Sequence, residues 1–210
     1  MIKKHLKVLI ITSLLILLPI VAGVVLWDRL PTQMPTHWNA RGEVDGWGSK
    51  GFFVFGLPLI LLGAQWICIF ATSADPKKEA HADKVVQVVL WLMPVLSIVL
   101  QTAGYMSALG LPVRIERIMP LLLGFLFVVI GNYMPKCKQN YTIGIKLPWT
   151  LNSTENWNRT HRFAGWVWVA GGIGMMLSAF WGGFWLLMGI AFVMTLVPVI
   201  YSFILYRKGI

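Results

Sequence analysis

The chain has 210 residues, of which 57% are hydrophobic and only 12% charged, and its mean hydropathy is +0.71. A soluble domain carries about 25% charged residues, so this composition excludes an ordinary water-soluble globule and points to an integral membrane protein. The net charge of +10 would suggest nucleic acid in a soluble chain; here it fits basic loops held on the cytoplasmic side, with no direct nucleic-acid contact.

The first apolar stretch, Val8–Leu26, follows a basic start of Lys3, Lys4 and Lys7. Val21-Ala22-Gly23 faintly resembles a cleavage site, but the apolar run continues to Trp27, longer than a usual signal core, so an uncleaved anchor is expected. The loop from Leu30 to Gly51 reads LPTQMPTHWNARGEVDGWGSKG. Pro31 and Pro35 stiffen its first part toward extended structure, and Asn39-Ala40-Arg41-Gly42 and Asp45-Gly46 are turn signals. His37, Glu43 and Asp45 are metal-ligand types, yet no dense ligand pattern appears, so turns and solvation are expected instead of a metal site. Trp38 and Trp47 are expected at the membrane interface.

Five further apolar stretches follow: Phe52–Thr72, Val85–Leu109, Ile118–Met134, Phe163–Phe180 and Phe184–Leu205. Each approximates the 17–25 residues, about 30 Å, that a helix needs to cross a bilayer core, and none contains Asp, Glu, Lys or Arg. The predicted fold is all-α: a polytopic bundle of six transmembrane helices. The fifth and sixth meet at Trp181-Gly182-Gly183, which reads as a tight helical hairpin. Pro19, Pro58, Pro94, Pro120 and Pro198 lie inside spans and can kink them. Ala170, Gly174, Ser178 and Gly182 recur every four residues, a small-residue face suited to close helix approach. Cys68 and Cys137 lie too far apart in this topology for a disulfide.

The polar groups inside the spans are Gln65, Gln87, Gln101 and Asn132, plus hydroxyls. Ion-coupled carriers keep ionisable groups at depth, so their absence from these stretches argues against an ion pump. With no nucleophile–base pair or ligand cluster, neither an enzyme nor a cofactor is expected. Counting Lys and Arg, 13 fall on the side holding both termini and the second and fourth loops, and 5 on the other. Both termini are therefore expected in the cytoplasm, with Pro31–Gly51 outside.

The segment NYTIGIKLPWTLNSTENW, Asn140 to Trp157, interrupts this apolar chain. Gly144 fits a tight turn, and Asn152 with Glu155 suggests a capping box that opens a helix running into the fifth span. Glu155 and Arg159 are spaced for an i,i+4 pair. Trp157, His161, Ala164 and Trp168 share one helix face, with Arg159 and Arg162 beside it. Read physically, this is an interfacial helix anchored on anionic membrane lipid, or else a docking surface for a cytoplasmic protein. The sequons at Asn140, Asn152 and Asn158 fall on the cytoplasmic side and are read as chance.

Gly131 to Gly165 resembles the signature of the SdpI family of bacterial membrane proteins: Gly131-Asn132, then Asn140, Gly144, Pro148-Trp149-Thr150-Leu151, Trp157, Arg162 and Gly165, with Lys146 where Arg is usual. The loop with Leu30-Pro31, Pro35, His37, Gly42, Asp45 and Gly46 is similar to the DUF1648 motif. The resemblance divides the chain into residues 1–76, two spans with the DUF1648-like loop, and 77–210, four spans with the signature at 131–165. It implies a multi-pass protein of the bacterial cell membrane that gives immunity to a secreted antibacterial toxin peptide and signals by holding an ArsR-like transcriptional repressor at the membrane. Asn132, Asn140, Gly144, Pro148, Trp149, Thr150, Trp157, Arg159 and Arg162 are then candidate partner contacts, and Pro31, Pro35, His37, Gly42, Asp45 and Gly46 candidate peptide contacts. The alternative is a small-molecule or peptide transporter.

Overall fold

A computed structural model of the chain describes residues 1–181 and 183–210. Its long helices are α1 (Ile2–Val25), α2 (Leu57–Ala74, entered through a π-helical turn at Phe52–Gly56), α3 (Asp83–Ala108), α4 (Ile115–Tyr133), α6 (Thr154–Trp181) and α7 (Phe184–Arg207); α5 (Pro148–Asn152) is a single short turn. Each expected apolar stretch falls on one of the 6 described helices that are long and apolar enough to cross a membrane, with only Leu26 and Leu109 lying just past a helix end. The protein is thus an all-α, multi-pass membrane protein. Several helices outrun their apolar stretches because hydropathy marks the part that meets lipid, whereas the hydrogen-bonded ladder continues into polar ends: α1 takes in Lys3, Lys4 and Lys7, and α6 starts nine residues before Phe163. Their outward surfaces stay apolar, with Trp166, Trp181, Trp185 and Phe192 all exposed, as side chains facing lipid require.

Two strands, β1 (Gln33–Trp38) and β2 (Val44–Ser49), form an antiparallel hairpin between α1 and α2. The turn expected at Asn39–Gly42 is present, but Asp45-Gly46 is no turn: both residues lie in β2, where Gly46 pairs with His37. A side chain at Gly46 would run into the His37 Cβ, so this glycine serves close strand approach. The strand went unread because Gly46 and Gly48 mask the alternation of Val44, Trp47 and their neighbours.

The chain divides into two compact units, Met1–Phe70 with Val89–Glu116 and Ala71–Val88 with Arg117–Ile210. In the first, one face of α1 carries the buried residues Leu9, Thr12, Ile16, Pro19 and Gly23. Ser97 Oγ donates to the Ile16 carbonyl at 2.8 Å and Tyr105 Oη to the Pro19 carbonyl at 3.0 Å, which ties α3 to that face. Leu30, Met34, Phe53, Val54 and Tyr105 close the core beneath the hairpin.

In the second unit α4 and α6 meet through glycines. A Cβ at Gly124 would collide with the Gly172 carbonyl and one at Gly172 with the Gly124 carbonyl; Gly131 and Gly165 stand in the same reciprocal relation. The seven-residue spacing repeats on both helices, so two backbone contacts seven residues apart set their separation. This differs from the expected small-residue face: Ala170 is exposed, and a Cβ at Gly174 would make only an ordinary 3.6 Å contact with Ile190. The last member of that face, Gly182, and the hairpin expected at Trp181-Gly182-Gly183 lie outside the described residues. Between α6 and α7, Met175, Leu187 and Met194 are buried together, and Trp168 Nε1 donates to the Met194 carbonyl at 3.1 Å.

Candidate functional site

Within the second unit, residues 137–161 form a loop tied by side chains to its own backbone. Asn140 is its knot. Its Oδ1 accepts the N–H groups of Thr142 and Ile143 at 2.8 and 2.7 Å, while Nδ2 donates to the carbonyls of Lys138 and Ile143 at 2.8 and 2.9 Å. An asparagine can satisfy several backbone groups at once where no ladder is available. Thr150 repeats the device: Oγ1 accepts the Leu147 N–H at 2.9 Å and lies within bonding distance of the Ile145 and Leu147 carbonyls. Pro148 opens α5 at its first turn, where a missing N–H costs nothing.

Trp157 is 0% exposed. Its Nε1 donates to the Cys137 carbonyl at 2.7 Å, and its ring stacks on His161 at 4.1 Å between centroids. His161 Nε2 accepts the Ile145 N–H at 3.0 Å, so Nδ1 carries the ring proton and donates to the Trp157 carbonyl at 2.8 Å. Gly144 lies against this pair at φ 126°, and a Cβ there would strike both rings. The expected lipid-anchoring role of Trp157 is therefore corrected: the face of Trp157, His161 and Ala164 is packed inside the protein. Spacing showed that these residues share a face but not what covers it.

The start of α6 also differs from expectation. Asn152 ends α5, and Ser153 is the cap, its Oγ accepting the Asn156 N–H at 3.1 Å. Glu155 pairs with Arg159 at 2.5 Å, as the i,i+4 spacing predicts. Trp149 Nε1 donates to Ser202 Oγ at 3.0 Å and its ring stacks on Tyr206. Asn156 Nδ2 donates to the carbonyl oxygens of Ser202 and Ile210, both at 3.0 Å, which holds the end of α7. Beside these contacts an open cleft of about 330 Å³ is lined by Pro148, Trp149, Asn152, Tyr206 and Ile210 among others. Asn132, Pro148, Arg159 and Arg162 are exposed.

Asp75 and His81, two residues of the α2–α3 connection that sequence reading passed over, complete the loop. The buried Asp75 carboxylate accepts the N–H groups of Lys77 and Tyr141 at 2.7 and 2.9 Å and the Thr142 hydroxyl at 2.9 Å, with His81 Nε2 at 3.3 Å. Burial pushes its carboxyl upward, but these hydrogen bonds and the His81 charge outweigh burial and hold it below the ordinary value of 3.8. Asp75 follows directly on α2, so only an unusual acidic residue at a span end hinted at it. Burial raises the Cys137 thiol to about 11, partly offset by the Asn140 amide; no disulfide joins it to Cys68.

In the first unit the hairpin presents its candidates differently. Met34 and Pro35 are buried, Gly42 takes φ 78° in the turn, and Asn39 Oδ1 accepts the N–H groups of Arg41 and Glu43. Lys50 Nζ donates to the Trp27 and Leu30 carbonyls at 2.9 and 2.8 Å and fastens the hairpin base. Pro31, His37 and Asp45 are exposed; His37 Nδ1 lies 2.5 Å from Asp45 Oδ1, with the His37 side chain 71% exposed. Among the described residues no group of three or more His, Cys, Asp or Glu is placed to hold a metal.

Residues 136–202 match the SdpI/YfhL protein family, and residues 14–62 match a domain of unknown function, DUF1648. The chain is also 28% identical over 206 residues to the immunity protein SdpI of Bacillus subtilis (strain 168), covering 95% of this chain and 96% of that one. The SdpI match opens at Lys136 in the turn after α4 and takes in the whole Asn140–Trp157 knot, α6 and most of α7. The DUF1648 match spans much of α1, the hairpin and the start of α2. No solved structure matches the chain.

Proposed function

We propose that this protein confers immunity to a secreted antibacterial peptide at the bacterial cell membrane and signals the peptide's presence by capturing a cytoplasmic repressor of the ArsR type. The likeness to the Bacillus subtilis immunity protein along nearly the whole of both chains carries the reading. In this reading both termini are cytoplasmic. The exposed hairpin side chains Pro31, His37 and Asp45 meet the peptide, while Pro35, Gly42 and Gly46 shape the hairpin. On the other side, Arg159 and Arg162 with the Trp149–Tyr206 cleft receive the repressor, and Asn140, Gly144, Thr150 and Trp157 hold that surface in shape. A peptide bound on one side alters the other only through unequal affinity for two arrangements of the helices; about 1.4 kcal/mol of inequality shifts their ratio tenfold.

The test is expression in a peptide-sensitive Bacillus strain, scoring survival against the secreted peptide and membrane recruitment of a tagged repressor. Protection with recruitment supports the reading. Failure to protect against the cognate or any related peptide sinks it and raises the transporter alternative. Orientation is read separately, by labelling a cysteine placed at Lys146 in a cysteine-free chain; modification by an impermeant reagent in intact cells would reverse the assigned sides.

A further inference from the structure

The first unit buries amide groups that its fold leaves unpaired. Gln65 on α2 is 1% exposed, and its Nε2 donates to Thr12 Oγ1 at 3.1 Å and Ser13 Oγ at 3.2 Å on α1. Thr12 spends its one hydroxyl proton on the Val8 and Leu9 carbonyls, so toward Gln65 it can only accept. This fixes the amide with Nε2 against α1 and leaves Oε1 buried without a partner. Gln101 on α3 is 2% exposed, and neither its Oε1 nor its Nε2 has a partner. It stands one turn after Ser97 and one turn before Tyr105, the residues that bond the Ile16 and Pro19 carbonyls. The four-residue spacing places Gln101 on the α3 face that meets α1, level with the turn between those two carbonyls. Pro19 has no N–H, so the Leu15 carbonyl on that turn also lacks its helical donor.

Bulk water is absent from a lipid-spanning segment, and buried polar groups kept for structure alone are paired. Polar side chains that remain inside a membrane without structural partners mark functional positions. At this level Gln101 offers a carbonyl acceptor and an N–H₂ donor, and Gln65, bonded to α1 earlier along that helix at Thr12 and Ser13, adds a buried carbonyl acceptor. That set complements a neutral group bearing both N–H and C=O. We propose that this level of the first unit is a recognition site for the peptide groups of an apolar peptide segment, reached when α1 and α3 part. Because Gln101 makes no bond in the closed arrangement, parting the helices there breaks none of its own. The inference rests on the immunity reading and deepens it, since it adds contact with the peptide within the membrane to contact at the hairpin.

The experiment uses the full chain in nanodiscs, labelled with ¹⁵N at glutamine side chains, and compares wild type with Gln101→Leu. N-methylacetamide, the smallest free peptide group, is the probe. The expected result has three parts: a saturable shift of the Gln101 side-chain signals with the probe, a thermal midpoint for Gln101→Leu higher by about 3 °C, and at least a tenfold loss of protection in cells. A lower midpoint for Gln101→Leu would overturn the site, because it would mean that the amide is already bonded. Absence of a saturable shift, or Gln101 signals contacting water that the probe does not displace, would overturn it equally. Protection by Gln101→Leu within twofold of wild type overturns it while leaving immunity intact. Failure of wild type itself to protect removes the immunity reading, and the midpoint and the titration still decide the site.

Discussion

The hairpin at Gln33–Ser49 and the loop at Cys137–His161 both carry family motifs, yet they spend their motif residues in opposite ways. The hairpin is held by a two-strand ladder, the buried Met34 and the Lys50 clamp at its base, which leaves His37, Asp45 and Trp47 facing out. The Cys137–His161 loop has no ladder, so its polar and aromatic side chains turn inward to satisfy the backbone, and Asn140, Thr150 and Trp157 are buried. A motif residue in the hairpin is therefore free to meet a partner. In the loop, such a residue chiefly builds the surface that its exposed neighbours Pro148, Arg159 and Arg162 present.

The strongest way to break this contrast is Trp157→Ala, which empties a fully buried site and strips the Cys137 carbonyl of its donor. A loss of about 3–5 kcal/mol is expected. The readout is Cys137 itself. With its thiol raised to about 11 it should alkylate very slowly at pH 7.5 in the native loop and at a normal thiol rate in the variant. Equal rates in both would mean that the loop does not depend on the ring.

Gly144→Ala comes next. It places a Cβ at φ 126° against Trp157 and His161, and about 2–3 kcal/mol should be lost through backbone strain and displacement of the stack. Thermal unfolding measures it. An unchanged midpoint would show that this turn relaxes freely.

Asp75→Asn sharpens the comparison by targeting the anchor from outside the motif. The buried carboxylate accepts several hydrogen bonds, and about 1–3 kcal/mol of loop stability should depend on it. Its folded pKa is depressed, so that stability is fully present above the ordinary value of 3.8 and is lost as pH falls through and below it. Pepsin cleavage within residues 138–147 should therefore rise between pH 5 and pH 3 in wild type. In the variant it should be raised at both pH values, with a flatter dependence. A steep acid response surviving in Asp75→Asn would assign the effect to another group.

His37→Ala is expected to have the smallest effect on stability, under about 1 kcal/mol, because its pair with Asp45 is solvent-exposed. In the proposed function it should nevertheless lower peptide protection. A variant that unfolds more readily but protects normally would invert the roles assigned to hairpin and loop.

Much of this molecule is legible in one dimension. Crossing a bilayer requires long runs without charge and leaves every backbone group to be paired within its own helix, so the existence of six long helices follows from hydropathy alone. The Glu155–Arg159 pair is equally local, and a four-residue spacing was enough to predict it. What covers a helix face is not local. Trp157 and Trp149 have the composition of interfacial anchors, and only the packing of the loop onto Cys137, Ser202 and Tyr206 decided that their indole N–H groups face protein. The α4–α6 contact was hidden for the same reason: α6 offers glycines at Gly165, Gly171, Gly172 and Gly174, and only the facing backbone of Gly124 and Gly131 selects among them. Asp75 and Gln101 mark the two limits of sequence reading. Each was an ordinary polar residue until the fold surrounded the first with donors and left the second with none, because partners brought from distant parts of the chain are a property of tertiary structure.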